Sequence, residues 1–537
     1  MNLDNYEAVI VGGGISGFFI LKHLIENGIT NIILFERNSE PFGVWNVNNS
    51  PSVHDFTHCV SSKLYMTISD FPMPVDYPEF PHHTQIYNYY MDYVTQFDLL
   101  KYVKFNSTVT GITKKDAHWV INTSTGTYTS NSVTIASGTV NDSLNIPQDP
   151  MYKDFNGDIY HADTFSEYRD TLVDKKILLI GVSETACDLA EELRRTNKIT
   201  MSSRRGVIMQ DRLIGQHPAD ADVSRPMGWL WNLFGDTIFN YLVNVCFYHN
   251  KGPIGGPGAA TFWGKNGHGI KEWETDAPYI HHYFVKNREV VDSIAKGIIR
   301  PAPHLANIKG HKISFVNGLE DDFDTIIFCT GYQPFGALKF IEAKYYSNLY
   351  KFIYSCEDPS LSFIGFVRPT ITSLPMLSEL QSRWVAKKIA GKVFLPNKIK
   401  MGDEAEKDRR EQTLKYTHIA DRLKTIVSPH KYSDILAEKI HAQPSLVKIL
   451  FTDPVLFYHI LFNSWNHHFY RLTDMNPIVR ENARKSMVSG KMATTTLWVR
   501  SVFGIILLII FVIVIILYNK YSTASVANIE KSVWYSI

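Results

Sequence analysis

Glycines at 12, 14 and 17 follow the apolar run Ala8 to Val11 and precede a helical stretch that ends near Asn27. The segment Gly12, Gly13, Gly14, Ile15, Ser16, Gly17 therefore reads as strand, turn and helix. Residues without a Cβ let the backbone approach a pyrophosphate, whose charge settles on the free N–H groups and positive dipole end of the helix. A second apolar strand, Ile32 to Phe35, ends in Glu36, where a carboxylate accepts hydrogen bonds from a ribose hydroxyl pair. Strand, turn, helix and acid in this order predict a dinucleotide site.

A second turn follows Lys176 to Ile180 and reads Gly181, Val182, Ser183, Glu184, Thr185, Ala186, leading into the helical pattern Cys187 to Arg195. It is degenerate, because Ser183 stands where a middle glycine would be, and an ordinary βα turn is the alternative reading. The next strand, Ile199 to Met201, ends in Ser202, Ser203, Arg204, Arg205 and Gly206. Two guanidinium groups stand where an NAD site carries an acid, and arginine pairs bidentately with the 2′-phosphate of NADP. The first turn is thus expected to hold FAD and the second NADPH.

The elements that must position these turns suit a chain of 537 residues, long enough for two to three cored domains. The expected class is α/β with two Rossmann-like dinucleotide-binding domains, the NADP domain inserted into the FAD domain, plus a C-terminal transmembrane helix. The expected division is 1–165 for the first part of the FAD domain, 166–325 for the NADP domain with an aromatic insertion and 326–445 for the second part of the FAD domain. A membrane-proximal helical region, an anchor and a tail then occupy 446–496, 497–518 and 519–537. The strand Asp324 to Phe328 and the glycine turn after it, with Gly331, mark the return to the first domain.

With a net charge of +1 and no zinc-finger spacing, nothing argues for nucleic acid. Five scattered cysteines, none in a CxxC pair, exclude the disulfide of a thiol-dependent flavin reductase and suit a reducing compartment. The apolar run from Val502 to Tyr518, extended upstream by Leu497, Trp498 and Val499, is long enough to cross a bilayer of about 30 Å. Arg484, Lys485, Lys491 and Arg500 precede it, which keeps the body of the protein on the cytosolic side. Gly228 to Tyr248 reads as a buried or half-buried helix pair or as a membrane-facing or tunnel-lining insertion. The aromatic segment Phe451 to Tyr470 reads as an interfacial helix. Its His459, His467 and His468 lack a cysteine or carboxylate at ligand spacing, so no metal is expected.

Between the two turns lies Phe155, Asn156, Gly157, Asp158, Ile159, Tyr160, His161, followed by Ala162, Asp163, Thr164 and Phe165. This resembles the FxGxxxHxxxF signature of the flavin-containing monooxygenases. Phe328 to Tyr332 resembles the family's FATGY segment with Cys329 in place of alanine, and Gly43, Val44, Trp45 resembles its GLW turn near the flavin. Ser69 to Pro72, Glu379 to Trp384 and Thr452 to Pro454 are similar to further family blocks. The resemblance covers essentially the whole chain. It implies an enzyme in which NADPH reduces FAD, oxygen adds to the reduced flavin, and the resulting hydroperoxide passes one oxygen to a small-molecule soft nucleophile, an amine nitrogen or a sulfide sulfur. It also implies a membrane anchor in the endoplasmic reticulum. His161 is expected to hydrogen-bond structurally rather than to act as a base.

The resemblance places Val60 where these enzymes carry an asparagine that hydrogen-bonds near flavin and nicotinamide. Val60, Ser61 and Asp70 are the candidate pocket residues. The full expected FAD set is Gly12, Gly13, Gly14, Ile15, Ser16, Gly17, Glu36, Val44, Trp45, Val60, Ser61 and Gly331. The NADP set is Gly181, Ser183, Ala186, Ser202, Ser203, Arg204, Arg205, Cys59 and Val60. Valine offers no donor or acceptor, which keeps open an NADPH oxidase that releases hydrogen peroxide and a Baeyer–Villiger type of oxygenation. A non-catalytic nucleotide-binding membrane protein is a third reading.

Overall fold

The computed structural model describes residues 4–48, 52–140, 142–209, 211–214, 216–229, 270–273, 284–370, 372–417 and 425–490. The apolar run 497–518, the tail 519–537, Lys491, and the aromatic segment beyond Trp229 lie outside the described residues. Among the described residues no helix is long and apolar enough to cross a membrane.

The first sheet grows from β1 (Asn5–Val11), whose apolar residues alternate into a layer covered on both sides. The chain turns through Gly12 to Gly14 into α1 (Ile15–Glu26) and returns as β2 (Ile32–Phe35), parallel to β1 with Ala8 opposite Ile32. Next in the same sheet come β3 (Val103–Lys104) beside β2 and the long β4 (Gly126–Ile135) on the other side of β1. Such parallel pairing, with both faces buried, explains why Ile32 to Phe35 is an unbroken apolar run.

The second sheet is five-stranded. Its strands, in chain order, are β5 (Asp158–His161), β6 (Lys176–Ile180), β7 (Lys198–Ser202), β8 (Ile299–Ala302) and β9 (Thr325–Phe328), with α2 (Glu184–Leu193) after β6. All its pairings are parallel, and across the sheet the strands run β8, β7, β6, β9, β5. β5 falls within the stretch 1–165 expected for the first domain, and β9 straddles the expected 325/326 boundary. Both pair within the second sheet, which thus spans 158 to 328. The reason is steric. A Cβ on Gly157 would stand 2.3 Å from the Asp324 carbonyl, so this glycine lets β5 lie flush against β9.

After β9 the chain goes back to the first sheet, where β10 (Leu361–Phe363) pairs with β4. α3 (Leu374–Ile389) then packs on α1, burying Leu377, Leu380 and Trp384 in one core with Phe18, Leu21 and the tyrosines Tyr89, Tyr90 and Tyr93. The chain therefore passes between the sheets twice, and the two passages pair with each other. Asn145 N–H donates to Gly331 O and Gln333 N–H to Ser143 O, each at 2.8 Å, around an antiparallel bridge between Leu144 and Tyr332.

The segment Phe451 to Tyr470 is not one interfacial helix. Helices Leu446–Thr452 and Pro454–Phe462 leave Phe451 and Val455 exposed, but the chain then enters the core, where Trp465, His467, His468, Phe469 and Tyr470 are all buried. At the end of the second helix the Asn463 side chain donates to Met487 O and Gly490 O at 2.8 Å each and so ties this end to the last described helix.

Candidate active site

At the end of β1, Gly12 has φ +108°, and a Cβ there would meet Ala136 O at 2.7 Å. A Cβ on Gly17 would meet Gly12 O at 2.0 Å, so the start of α1 can approach the turn only as glycine. Nothing lies within 4 Å of a Cβ built on Gly14, which leaves the mouth of the helix open. Glu36, buried at the end of β2, braces the turn: Gly13 N–H donates to its Oε2 at 2.6 Å and Asn38 N–H to its Oε1 at 2.8 Å. Each carboxylate oxygen keeps a further lone pair for a ribose hydroxyl. The Gly43–Trp45 turn is tied to the same place by Phe42 N–H, which donates to Gly13 O at 2.8 Å. Ser16 lies beside Gly365, whose Cβ would come within 3.0 Å of its hydroxyl oxygen.

The second turn repeats this geometry. Gly181 has φ +103°, and a Cβ there would meet Cys329 O at 2.7 Å. Ser183 occupies the N-cap of α2, its hydroxyl oxygen accepting from Ala186 N–H at 3.2 Å. The hydroxyl proton remains available to be given to a phosphate. Ser202 Oγ–H donates to Pro303 O at 2.6 Å and Ser203 N–H to Ala302 O at 3.1 Å, so both serines shape the end of β7. Arg204 and Arg205 follow as exposed residues, and Arg204 makes no hydrogen bond or ion pair among the described residues. Its guanidinium is free for a phosphate.

The segment Cys59 to Ser62 joins the two units. Cys59 is buried, and burial pushes its thiol well above the ordinary range, so it is no thiolate nucleophile. Val60 O accepts from Lys286 Nζ at 3.1 Å, Ser61 Oγ–H donates to Thr372 O at 3.3 Å, and Ser62 N–H donates to Asp220 Oδ2 at 2.8 Å. Asp220, Lys286 and Thr372 carry no spacing signal in the sequence, which is why motif reading misses them. Gly331, with φ +72° and open space around it, closes the turn after β9.

Asp70 is not a pocket group. Its carboxylate is 3% exposed and pairs with Lys22 and, at 2.9 Å, with Arg471. Arg471 also pairs with Glu379 at 2.7 Å and donates to Ser69 Oγ at 2.6 Å. Burial pushes Glu379 upward, but Arg471 together with His467 and His23 outweighs it and holds the carboxyl at about 2. This buried network fastens the turn His467–Arg471 to α1 and α3. His161 is likewise structural: its Nδ1 accepts from Asp163 N–H at 3.1 Å and caps the turn after β5. Asp163 in turn accepts from Ser52 Oγ–H at 2.9 Å and from the Tyr332 hydroxyl. A surface cavity of about 600 Å³ lies among the C-terminal helices, lined by Lys448, Leu456, Arg480 and Arg484, and contains no residue of either turn.

Two glycine turns of one geometry, one braced by an acid and one followed by an unpaired arginine, define a protein with two dinucleotide-binding domains. The sequence profile described as Flavin-binding monooxygenase-like matches residues 6–518, and the chain belongs to that family. It is 28% identical over 512 residues to flavin-containing monooxygenase 5 of Homo sapiens, covering 89% of this chain and 91% of the relative. It is 27% identical over 518 residues to the dimethylaniline monooxygenase [N-oxide-forming] 2 of Mus musculus, covering 90% and 91%. In fold it is similar to the S-allyl-L-cysteine S-oxygenase of Allium sativum, with a TM-score of 0.57, 17% identity and coverage of 91% and 99%. A NADP+-bound cyclohexanone monooxygenase of Rhodococcus sp. Phi1 matches with a TM-score of 0.59, 15% identity and coverage of 82% and 98%. The protein is a flavin-dependent monooxygenase whose cofactors are FAD and NADPH.

Proposed function

We propose that the enzyme uses NADPH and molecular oxygen to oxygenate a small soft nucleophile, a tertiary amine nitrogen or a sulfide sulfur. When bound, FAD takes a hydride from NADPH and supplies the activated oxygen. The residues do the rest. Gly12 to Gly17 and Glu36 seat the first nucleotide, with Val44 and Trp45 held over its turn. Gly181, Ser183, Ala186 and Arg204 seat the second. The Cys59–Ser62 segment stands at their junction, and the buried flanks at Thr372 and Asp220 keep water from it. The observation that carries the reading is Arg204, exposed and unpaired at the end of β7, where a 2′-phosphate would sit. The names of two relatives, N-oxide-forming and S-oxygenase, agree with this substrate class. An oxygen balance tests it: NADPH consumed, peroxide released and product formed with dimethylaniline and with a simple sulfide. No product from either substrate overturns the reading.

Val60 supports a second outcome, a large share of turnovers ending as hydrogen peroxide, because its side chain offers the reaction centre no hydrogen bond. The run 497–518 supports a single C-terminal membrane span with the nucleotide units in the cytosol, and the family resemblance supports the endoplasmic reticulum as the membrane. Protease digestion of sealed microsomes tests the orientation, since protection of the body would reverse it.

A further inference from the structure

Lys286 is anchored in the second unit and reaches into the first. Its backbone N–H donates to Glu184 Oε1 at 2.7 Å, at the start of α2, and its carbonyl accepts from Arg212 Nε at 2.8 Å. Its side chain, 10% exposed, crosses to Val60 O and stands 3.4 Å from Asp220 Oδ2. Asp220 is 1% exposed, and while Oδ2 accepts from Ser62 N–H and faces the ammonium, Oδ1 is buried with no partner. An ammonium has three N–H donors, and two directions are accounted for. The pair therefore presents one unused donor, on a lysine that keeps 10% of its side chain exposed, and one unused acceptor beside it. A buried polar atom left unpaired is destabilising unless something completes it.

Hydride transfer requires the nicotinamide ring to meet the flavin within van der Waals reach. The reactive end of NADPH must accordingly lie where the two units join, beside Cys59–Ser62. A nicotinamide carries one carboxamide, with a carbonyl acceptor and an NH2 donor, the complement of what Lys286 and Asp220 leave open. We propose that Lys286 and Asp220 form the handle that orients the nicotinamide carboxamide, taking over at this junction the polar role that the Val60 side chain cannot play. The inference rests on the reading of the two turns as FAD and NADPH sites. Both are positioning residues. The ammonium gives its third N–H to the carboxamide oxygen, and Asp220 Oδ1 receives the amide N–H.

The test uses binding to the oxidised holoenzyme, followed by the perturbation of flavin absorbance. Two probes are compared: NADP+, and 2′,5′-ADP, which keeps the adenosine and 2′-phosphate and lacks the nicotinamide. Lys286→Met and Asp220→Asn are each expected to weaken NADP+ about tenfold or more and to leave 2′,5′-ADP within about twofold, which is a loss of roughly 1.4 kcal/mol confined to one end of the ligand. Unchanged NADP+ affinity overturns the proposal, and so does equal weakening of both probes. A measurement on the unsubstituted enzyme covers the case of variants that lose FAD. The 3-acetylpyridine analogue of NADP+ keeps the carbonyl and lacks the N–H, so it is expected to bind about tenfold more weakly, and equal affinity refutes the role of Asp220. If unsubstituted enzyme binds neither NADP+ nor 2′,5′-ADP, the cofactor reading itself fails.

Discussion

Gly12 and Gly181 stand at the same point of two separate sheets. Each donates its N–H to the carbonyl that ends the neighbouring strand, Gly12 to Phe35 O at 2.8 Å and Gly181 to Ser202 O at 3.0 Å. Each also presses against the strand on its other side, at Ala136 and at Cys329. Equivalent strain should give separable losses. Gly12→Ala is expected to yield protein depleted of FAD. Gly181→Ala is expected to keep FAD and to raise the NADPH KM tenfold or more, since φ above +100° with a carbonyl at 2.7 Å admits no Cβ without moving the turn. Flavin content by absorbance and NADPH kinetics check both.

Arg204→Ala should raise the NADPH KM about tenfold and leave NADH little changed. A charge-assisted pair with a phosphate contributes about 1.5 to 3 kcal/mol, and NADH lacks that phosphate. Equal loss for both coenzymes would show that the assignment of Arg204 to the 2′-phosphate is wrong.

Val60→Asn is expected to raise product formed per NADPH and lower peroxide released. A hydrogen bond gained by a buried polar group is worth about 1 to 3 kcal/mol, so the ratio should shift roughly fivefold or more. A peroxide yield unchanged by the substitution would indicate that Ser61 or the Lys286 ammonium already fills that place.

Stability should fall with acid from near neutrality. Burial lowers His467 to about 4 and His430 and His468 to about 3. Their folded values lie below the ordinary 6.5, so as pH drops through 6.5 the unfolded chain takes up protons that the fold refuses. Stability is then lost by about 1.4 kcal/mol per pH unit for each histidine until its folded value is reached. Glu379, held at about 2, has the usual carboxylate sign: its contribution is present above the ordinary value of 4.5 and is lost only as pH falls from there toward the folded value. Urea midpoints measured from pH 7.5 to pH 4.5 should therefore decline steadily. A flat profile down to pH 5 would exclude the histidine contribution.

Both glycine turns, Glu36 and Arg204 are legible in the sequence because each belongs to a unit of about thirty contiguous residues, strand, turn, helix and strand, whose chemistry is local. Sheet membership is not local. β5 follows the first unit in the chain but is claimed by β9, some 165 residues later, through Gly157. Asp70 looks like a pocket acid until Lys22 and Arg471, 48 and 401 residues away, neutralise it. Lys286 and Asp220 are unremarkable by type and spacing, and only folding brings them to Val60. The apolar run 497–518, the clearest membrane signal in the chain, lies outside the described residues.

The paired passages between the sheets have a mechanical consequence. A single covalent connection would act as a swivel, leaving one unit free to roll, twist and tilt against the other. Here the strand segments around Ser143 to Asn145 and Thr330 to Gln333 run side by side and are laced by backbone hydrogen bonds, with Gln333 Nε2 adding another to Asn145 Oδ1 at 2.8 Å. Two passages tied in this way resist roll and twist better than a single strand would, and with Lys286 on Val60 O and Ser62 on Asp220 they hold the two glycine turns in a fixed register across the junction.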